Sequence, residues 1–135
     1  MTKTTVMAGF DIYGDNLVPD VVTRRLGIQP TRSWTKGDRI GKGSEKVRRF
    51  SYWGISTGYE ESDDVSVQLA KALDPLKDKS RVLNELREEY GLEYRIDIVP
   101  RIGEKDPPLI SLDHWVIDLA QSIRARVWVD LYVYS

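Results

Sequence analysis

The 135-residue sequence contains no cysteine and one histidine, His114. The first absence removes disulfides, thiolate nucleophiles and cysteine-ligated zinc together. The second leaves no pair of imidazoles to share a metal, and no Gly-x-Ser-x-Gly elbow accompanies His114 to build a catalytic triad. Ser111 and Asp113 stand beside it in sequence, but neighbouring helix positions do not face each other. His114 therefore reads as an exposed or capping residue. No apolar run approaches the roughly 20 residues that span a bilayer. The stretch "MTKTTVMAGFDIYGD" likewise lacks the apolar segment of a signal peptide. These absences point to a cytoplasmic protein without a membrane segment, and no cofactor or metal ligand set is expected.

What is present is enough for a core. With 41% hydrophobic and 30% charged residues, the chain lies far from the composition of disordered segments, and its length suits one domain over residues 1–135. Charge is unevenly spread. Residues 24–49 hold nine basic side chains against two acidic ones, whereas "EESDD" follows at 60–64. Such blocks are ordinarily solvated faces, and a basic surface for an acidic partner is the sharper alternative. The acidic run lacks the spaced ligands of a calcium loop.

Within the basic block, "TKGDRIGKGS" (35–44) invites comparison with a phosphate-binding loop. That loop needs G-x-x-x-x-G-K-[ST] between a strand and a helix, so that backbone N–H groups and a helix start cradle the anion. Here three residues separate Gly37 from Gly41, Gly43 follows Lys42, and the segment runs into a strand. The nucleotide reading fails, and Gly41 and Gly43 read as the tip of an exposed loop.

Periodicity gives the rest. Residues 5–14 alternate as a half-buried strand, with Val6, Ala8, Phe10 and Ile12 on one side and Met7, Asp11 and Tyr13 on the other. "NLVPDVVTRRLG" reads as a short helix from Pro19, with Val18, Val22 and Leu26 as its stripe and Gly27 as its stop. Residues 47–57 form an aromatic-rich strand in which either Trp53 and Ile55 or Phe50 and Tyr52 face the core. Two helices follow, the first capped by Asp64 and ended by Asp74-Pro75, the second closed by Gly91. Residues 93–99 alternate again, residues 111–123 make an amphipathic helix with Ser111 as N-cap, and "ARVWVDLYVYS" reads as one closing strand. Leu17, Asp20, Val22 and Leu26 recur 93 residues later as Ile110, Asp113, Trp115 and Leu119. The expected fold is α+β: a two-layer sandwich of ferredoxin-like β-α-β repeats, with a helical insertion between the halves.

If Val127, Val129, Leu131 and Val133 face the helices, then Trp128, Asp130, Tyr132 and Tyr134 face away, as do Asp11, Tyr13, Arg95 and Asp97. An aromatic sheet face can stack bases. Three aspartates on it disfavour phosphate, however, and the RNP-type signature is missing. Exposed Trp and Tyr fit a protein partner or self-association better.

The combination of "FDIYG", "LGIQP", "SWTKGD", "YWGIST" and "ARVWVDLYVY" resembles the bacterial domain-of-unknown-function family 4279 over nearly the whole chain. The resemblance implies a small α+β bacterial protein and carries no catalytic residues to transfer. Families of this size and style include immunity proteins, which bind and block a toxin.

The sequence thus points to a non-catalytic binding protein that recognises a protein partner. Its expected recognition surface joins Trp34, Lys36, Gly37 and Asp38 to Tyr13, Trp53, Trp128, Asp130 and Tyr132 on the sheet. Two alternatives stay open: anion or nucleic-acid binding through residues 24–49, and an enzyme with a carboxylate or metal site.

Overall fold

Strand β1, Thr5–Gly14, organises the molecule because both of its edges are paired. In a computed structural model describing residues 3–104 and 107–134, it stands at the centre of a mixed seven-stranded sheet accompanied by four α-helices. Met1, Thr2 and Ser135, from the first and last segments read in sequence, lie outside the described residues.

After β1 come α1 (Pro19–Leu26), β2 (Arg32–Trp34), β3 (Ser51–Ser56) and the two-residue β4 (Glu60–Glu61). Helix α2 spans Val65–Leu73 and passes into a 3₁₀ turn at Asp74–Leu76, where Pro75 denies the helix a continuing N–H. Helix α3 (Ser80–Tyr90), β5 (Glu93–Ile102), α4 (His114–Ile123), β6 (Arg126–Val129) and β7 (Tyr132–Val133) complete the chain. Pro19 opens α1 and Gly27 closes it. The Asp64 carboxylate caps α2 by accepting from the Ser66 N–H at 2.9 Å. At α4 the cap position belongs to Asp113, in extended conformation, rather than to Ser111.

The sheet order is β2-β3-β1-β5-β6, with β4 paired to β1 and β7 to β5. Strands β2, β3, β1 and β5 pair antiparallel in succession, and β6 joins β5 in parallel. This redraws the expected halves. The chain crosses from β1 through α1 to β2, not to the aromatic strand, and β3 then turns back to lie between them. Strand β2 has three residues, too few for alternation to mark it, and it exists through its pairing with β3.

The core forms on one side of the sheet. Val6, Ala8, Phe10 and Ile12 are wholly buried and share one cluster with Ile96, Ile98, Leu69, Leu73, Leu83, Leu86 and Ile123. The register sets Trp53 opposite Ile12 and Ile55 opposite Phe10, which resolves the parity of the aromatic strand. Trp53, expected on the recognition surface, is instead a fully buried core residue whose indole N–H donates to Thr23 Oγ1 at 3.0 Å. Its neighbours Tyr52 and Phe50 are the more accessible rings.

The closing segment also departs from expectation. Val127 and Val129 stand in register with core residues Ile96 and Ile98, so they lie on the core side as expected. They are not sealed there, for the whole of β6 is exposed. The strand also breaks in two. The Asp130 N–H reaches the Ile98 carbonyl at 2.9 Å, but Pro100 has no N–H to return to Asp130, and the ladder resumes only at Tyr132.

Candidate functional site

Alternation sends every second residue of β1 to the face opposite the core: Met7, Gly9, Asp11 and Tyr13. Register then builds rows across the strands. One row reads Arg32, Gly54, Asp11, Arg95 and Arg126; the next reads Trp34, Tyr52, Tyr13 and Glu93; the third reads Ser56, Gly9, Asp97 and Trp128. An arginine-aromatic surface results, with one acid at its centre.

Asp11 is that acid, only 5% exposed. The Tyr52 hydroxyl donates to its Oδ1, and Arg95 Nη2 donates to its Oδ2 at 3.3 Å. Arg95 also donates to the Tyr13 hydroxyl and lies over the rings of Tyr13 and Trp128, 4.8 and 4.2 Å from their centroids. Its Nε stands 2.8 Å from Asp97 Oδ1, near enough to share charge but not aligned as a hydrogen bond. One guanidinium thus serves two aspartates and offsets one of their two charges. Burial raises the Asp11 carboxyl above its ordinary pKa, outweighing the Tyr52 hydrogen bond and the Arg95 charge. Burial and the Asp11 charge likewise raise the phenols of Tyr13 and Tyr52.

Glycine makes the central contact feasible. Tyr52 folds across Gly54 to reach Asp11, and a Cβ at Gly54 would overlap the Tyr52 ring and hydroxyl and come within 2.9 Å of Asp11 Oδ1. Gly54→Ala should expel the ring, break the Tyr52–Asp11 bond and cost about 1–2 kcal/mol. Urea unfolding checks the cost, and a changed near-UV aromatic spectrum checks the displacement.

Trp34 flanks this centre. It stacks on Tyr52 at 4.4 Å between ring centroids, donates from its indole to the Phe50 carbonyl at 2.9 Å, and lies beneath Arg32 and Arg48. A groove of about 380 Å³ runs over Gly9 and Gly54, walled by Trp34 and Tyr52 on one side and by Arg95 and Asp97 on the other. Beyond Trp34 a hollow of about 560 Å³ opens under Ile40, Val47 and Phe50. Beyond Arg95 one of about 210 Å³ lies among Trp128, Arg124 and Arg126.

The segment after Trp34 is a built turn. Asp38 Oδ2 accepts the Thr35 N–H at 2.8 Å, the Asp38 N–H returns to the Thr35 carbonyl at 3.0 Å, and Gly37 takes the left-handed φ of +94° that the bend requires. Gly37 and Asp38 also exchange backbone bonds with Arg48, so the basic block folds back on itself with Gly41 and Gly43 at its tip. The Lys36 N–H donates to Ser51 Oγ, and its ammonium stands 3.7 Å from Asp15. Lys36, Gly37 and Asp38 therefore hold Trp34 and its strand in position, while Trp34 itself belongs to the groove.

Of the expected residues, Tyr13 and Trp34 meet in the central network and Trp128 joins it through Arg95. Asp130 and Tyr132 bond to each other at 3.0 Å near the sheet edge, and Trp53 is in the core. Tyr52 and Gly54 had no place in the expected site; Arg95 was expected on this face without a named role, and Arg32 only within the basic block. The glycine inside a strand pattern was the available signal, since it marks a close approach. The acidic run is absorbed structurally: Glu60 bonds Lys71 at 2.9 Å and Asp64 caps a helix. Among the described residues, no cluster of three or more metal-ligating side chains occurs, and no helix is long and apolar enough to cross a membrane.

The model of the family described as Domain of unknown function (DUF4279) matches residues 2–134. The chain belongs to the DUF4279 family. No curated protein and no solved structure matches it. In this DUF4279 chain the resemblance noted in "SWTKGD" falls on the turn that sets Trp34 beside Tyr52, and "YWGIS" falls on the strand that supplies Tyr52 and Gly54.

Proposed function

We propose that the chain is a non-catalytic binding protein that takes a protein partner on the arginine-aromatic face of its sheet. The observation that carries the reading is the groove over Gly9 and Gly54, where half-exposed tryptophan, tyrosine and arginine side chains are held in fixed orientation. These three residue types dominate the energetics of protein interfaces, and their pre-ordering lowers the entropy lost on binding. Among the described residues, Arg32 and Arg48, both stacked on Trp34, form no ion pair, so the partner surface offers acidic groups. Neutralising a toxin in the manner of immunity proteins is one form such binding takes. The reading assumes a two-layer, ferredoxin-like core in which β2-β3-β1-β5 carries helices on one side, with α4, β6 and β7 appended. The antiparallel order of those four strands supports it.

Affinity capture on the immobilised chain tests the proposal. A captured protein should be retained by the helix variant Asp118→Ala and lost at least tenfold by Trp34→Ala and by Arg32→Glu. Equal retention by all three variants rules the face out. The arginines stacked on Trp34 also suit nucleic acid; that reading predicts oligonucleotide binding that weakens steeply with salt.

A further inference from the structure

We infer that two copies of the chain join edge to edge along β6, antiparallel about a two-fold axis at Trp128, so that their sheets become one. The inference begins from the unequal protection of the two sheet edges. Strand β2 is three residues long and is followed at once by the folded basic block. At the other edge β6 pairs with β5 alone. Val127, Trp128, Val129 and Leu131 are 36%, 48%, 49% and 50% exposed there. A β-rich, apolar edge of this kind is a template for another strand.

Backbone direction selects which residues present their hydrogen-bonding groups. Asp130 and Tyr134 donate inward, to Ile98 and Ile102. By alternation the N–H and C=O groups of Val127 and Val129 point outward, away from β5. In an antiparallel pair centred on Trp128, Val127 of one copy meets Val129 of the other as a hydrogen-bonded pair. The two Trp128 residues then form a close, non-hydrogen-bonded pair on the axis. Every side chain meets one on its own face, valine to valine on the core side and ring to ring on the other.

Charge selects this register over its neighbours. Centring on Trp128 sets Arg126 opposite Asp130 twice, and opposite charges directly across a ladder stabilise it. Centring on Asp130 would bring two carboxylates face to face. Within one chain Arg126 and Asp130 are four strand residues apart, roughly 13 Å, and cannot pair. Among the described residues neither forms an ion pair of its own. Edge pairing leaves the groove over Gly9 and Gly54, with Trp34 and Arg32, uncovered in both copies, so it is independent of the partner binding proposed there and lays two such grooves side by side.

Sedimentation over a concentration series is the test. The wild type should approach twice the 15.5 kDa chain mass as concentration rises. Arg126→Asp and Asp130→Arg should each weaken dimerisation at least tenfold, and the double reversal should restore it. Because the chain has no cysteine, Trp128→Cys should oxidise to a covalent dimer across the axis, whereas Asp130→Cys should not. A mass of one chain at all concentrations overturns the inference. So does a dimer indifferent to both single reversals, a double variant that stays monomeric, or cross-linking through position 130 and not 128.

Discussion

Trp53→Ala should destabilise the fold by about 3–5 kcal/mol, the range for truncating a large buried aromatic. For a chain of this size that lowers the melting temperature by roughly 10–20 °C. The indole sits fully buried opposite Ile12, and its removal also leaves the Thr23 hydroxyl without its donor. Trp128→Ala is the control. With its ring half in water, its loss should shift the melt by only a few degrees. Thermal and urea unfolding followed by circular dichroism distinguish the two. If both variants melt within a few degrees of the wild type, the assignment of Trp53 to the core is wrong. The pair also guards the partner-binding experiment, because a Trp53 variant would lose a partner by unfolding and not through a lost contact.

Much of this arrangement was legible in the sequence. The strand read at residues 5–14 is β1 residue for residue, because four apolar side chains alternating with polar ones admit one half-buried solution. The stops at Gly27 and Gly91 and the cap at Asp64 were legible because each supplies a local conformation or bond that a helix end requires. What escaped was set by distant partners. Residues 32–34 become a strand only because β3 lies beside them, and that short strand, not residues 47–57, completes the crossover from β1. The parity of β3 stayed open because both sets of its alternating residues are aromatic or apolar. Only pairing with β1 sends Trp53 inward and Tyr52 outward.

The site was half legible for the same reason. Alternation placed Asp11, Tyr13, Arg95 and Asp97 on one face, but it cannot tell that a single guanidinium serves both aspartates. That fact alters the electrostatic argument. Three aspartates on a sheet face read as a barrier to anionic partners. With Asp11 and Asp97 both engaged by Arg95, the charges beside Trp34 and the groove that lack a counterion are those of Arg32 and Arg48. Acids and bases on the face are balanced by inventory, and around Trp34 it is basic in what it offers a visitor.

Asp11 holds that balance, and its titration should be unusual. Asp11→Ala should cost about 2–3 kcal/mol at neutral pH, since Arg95 loses one of its two counterions and the Tyr52 hydroxyl loses its acceptor in a buried setting. The pH dependence separates this from an ordinary ion pair. An aspartate whose pKa is lowered by a cation loses its contribution on acidification. Asp11 is instead raised above 3.8 because burial dominates. The folded chain therefore binds its proton more tightly than the unfolded chain, and the stability linked to it is full below pH 3.8 and lost as pH rises through the folded pKa. The gap between wild type and Asp11→Asn, which cannot titrate, should accordingly narrow as pH rises through that window. Urea unfolding of both proteins across acid pH measures it. A gap that widens with rising pH would mean that Arg95, not burial, governs the carboxylate, and the groove would then be far more open to water than its geometry implies.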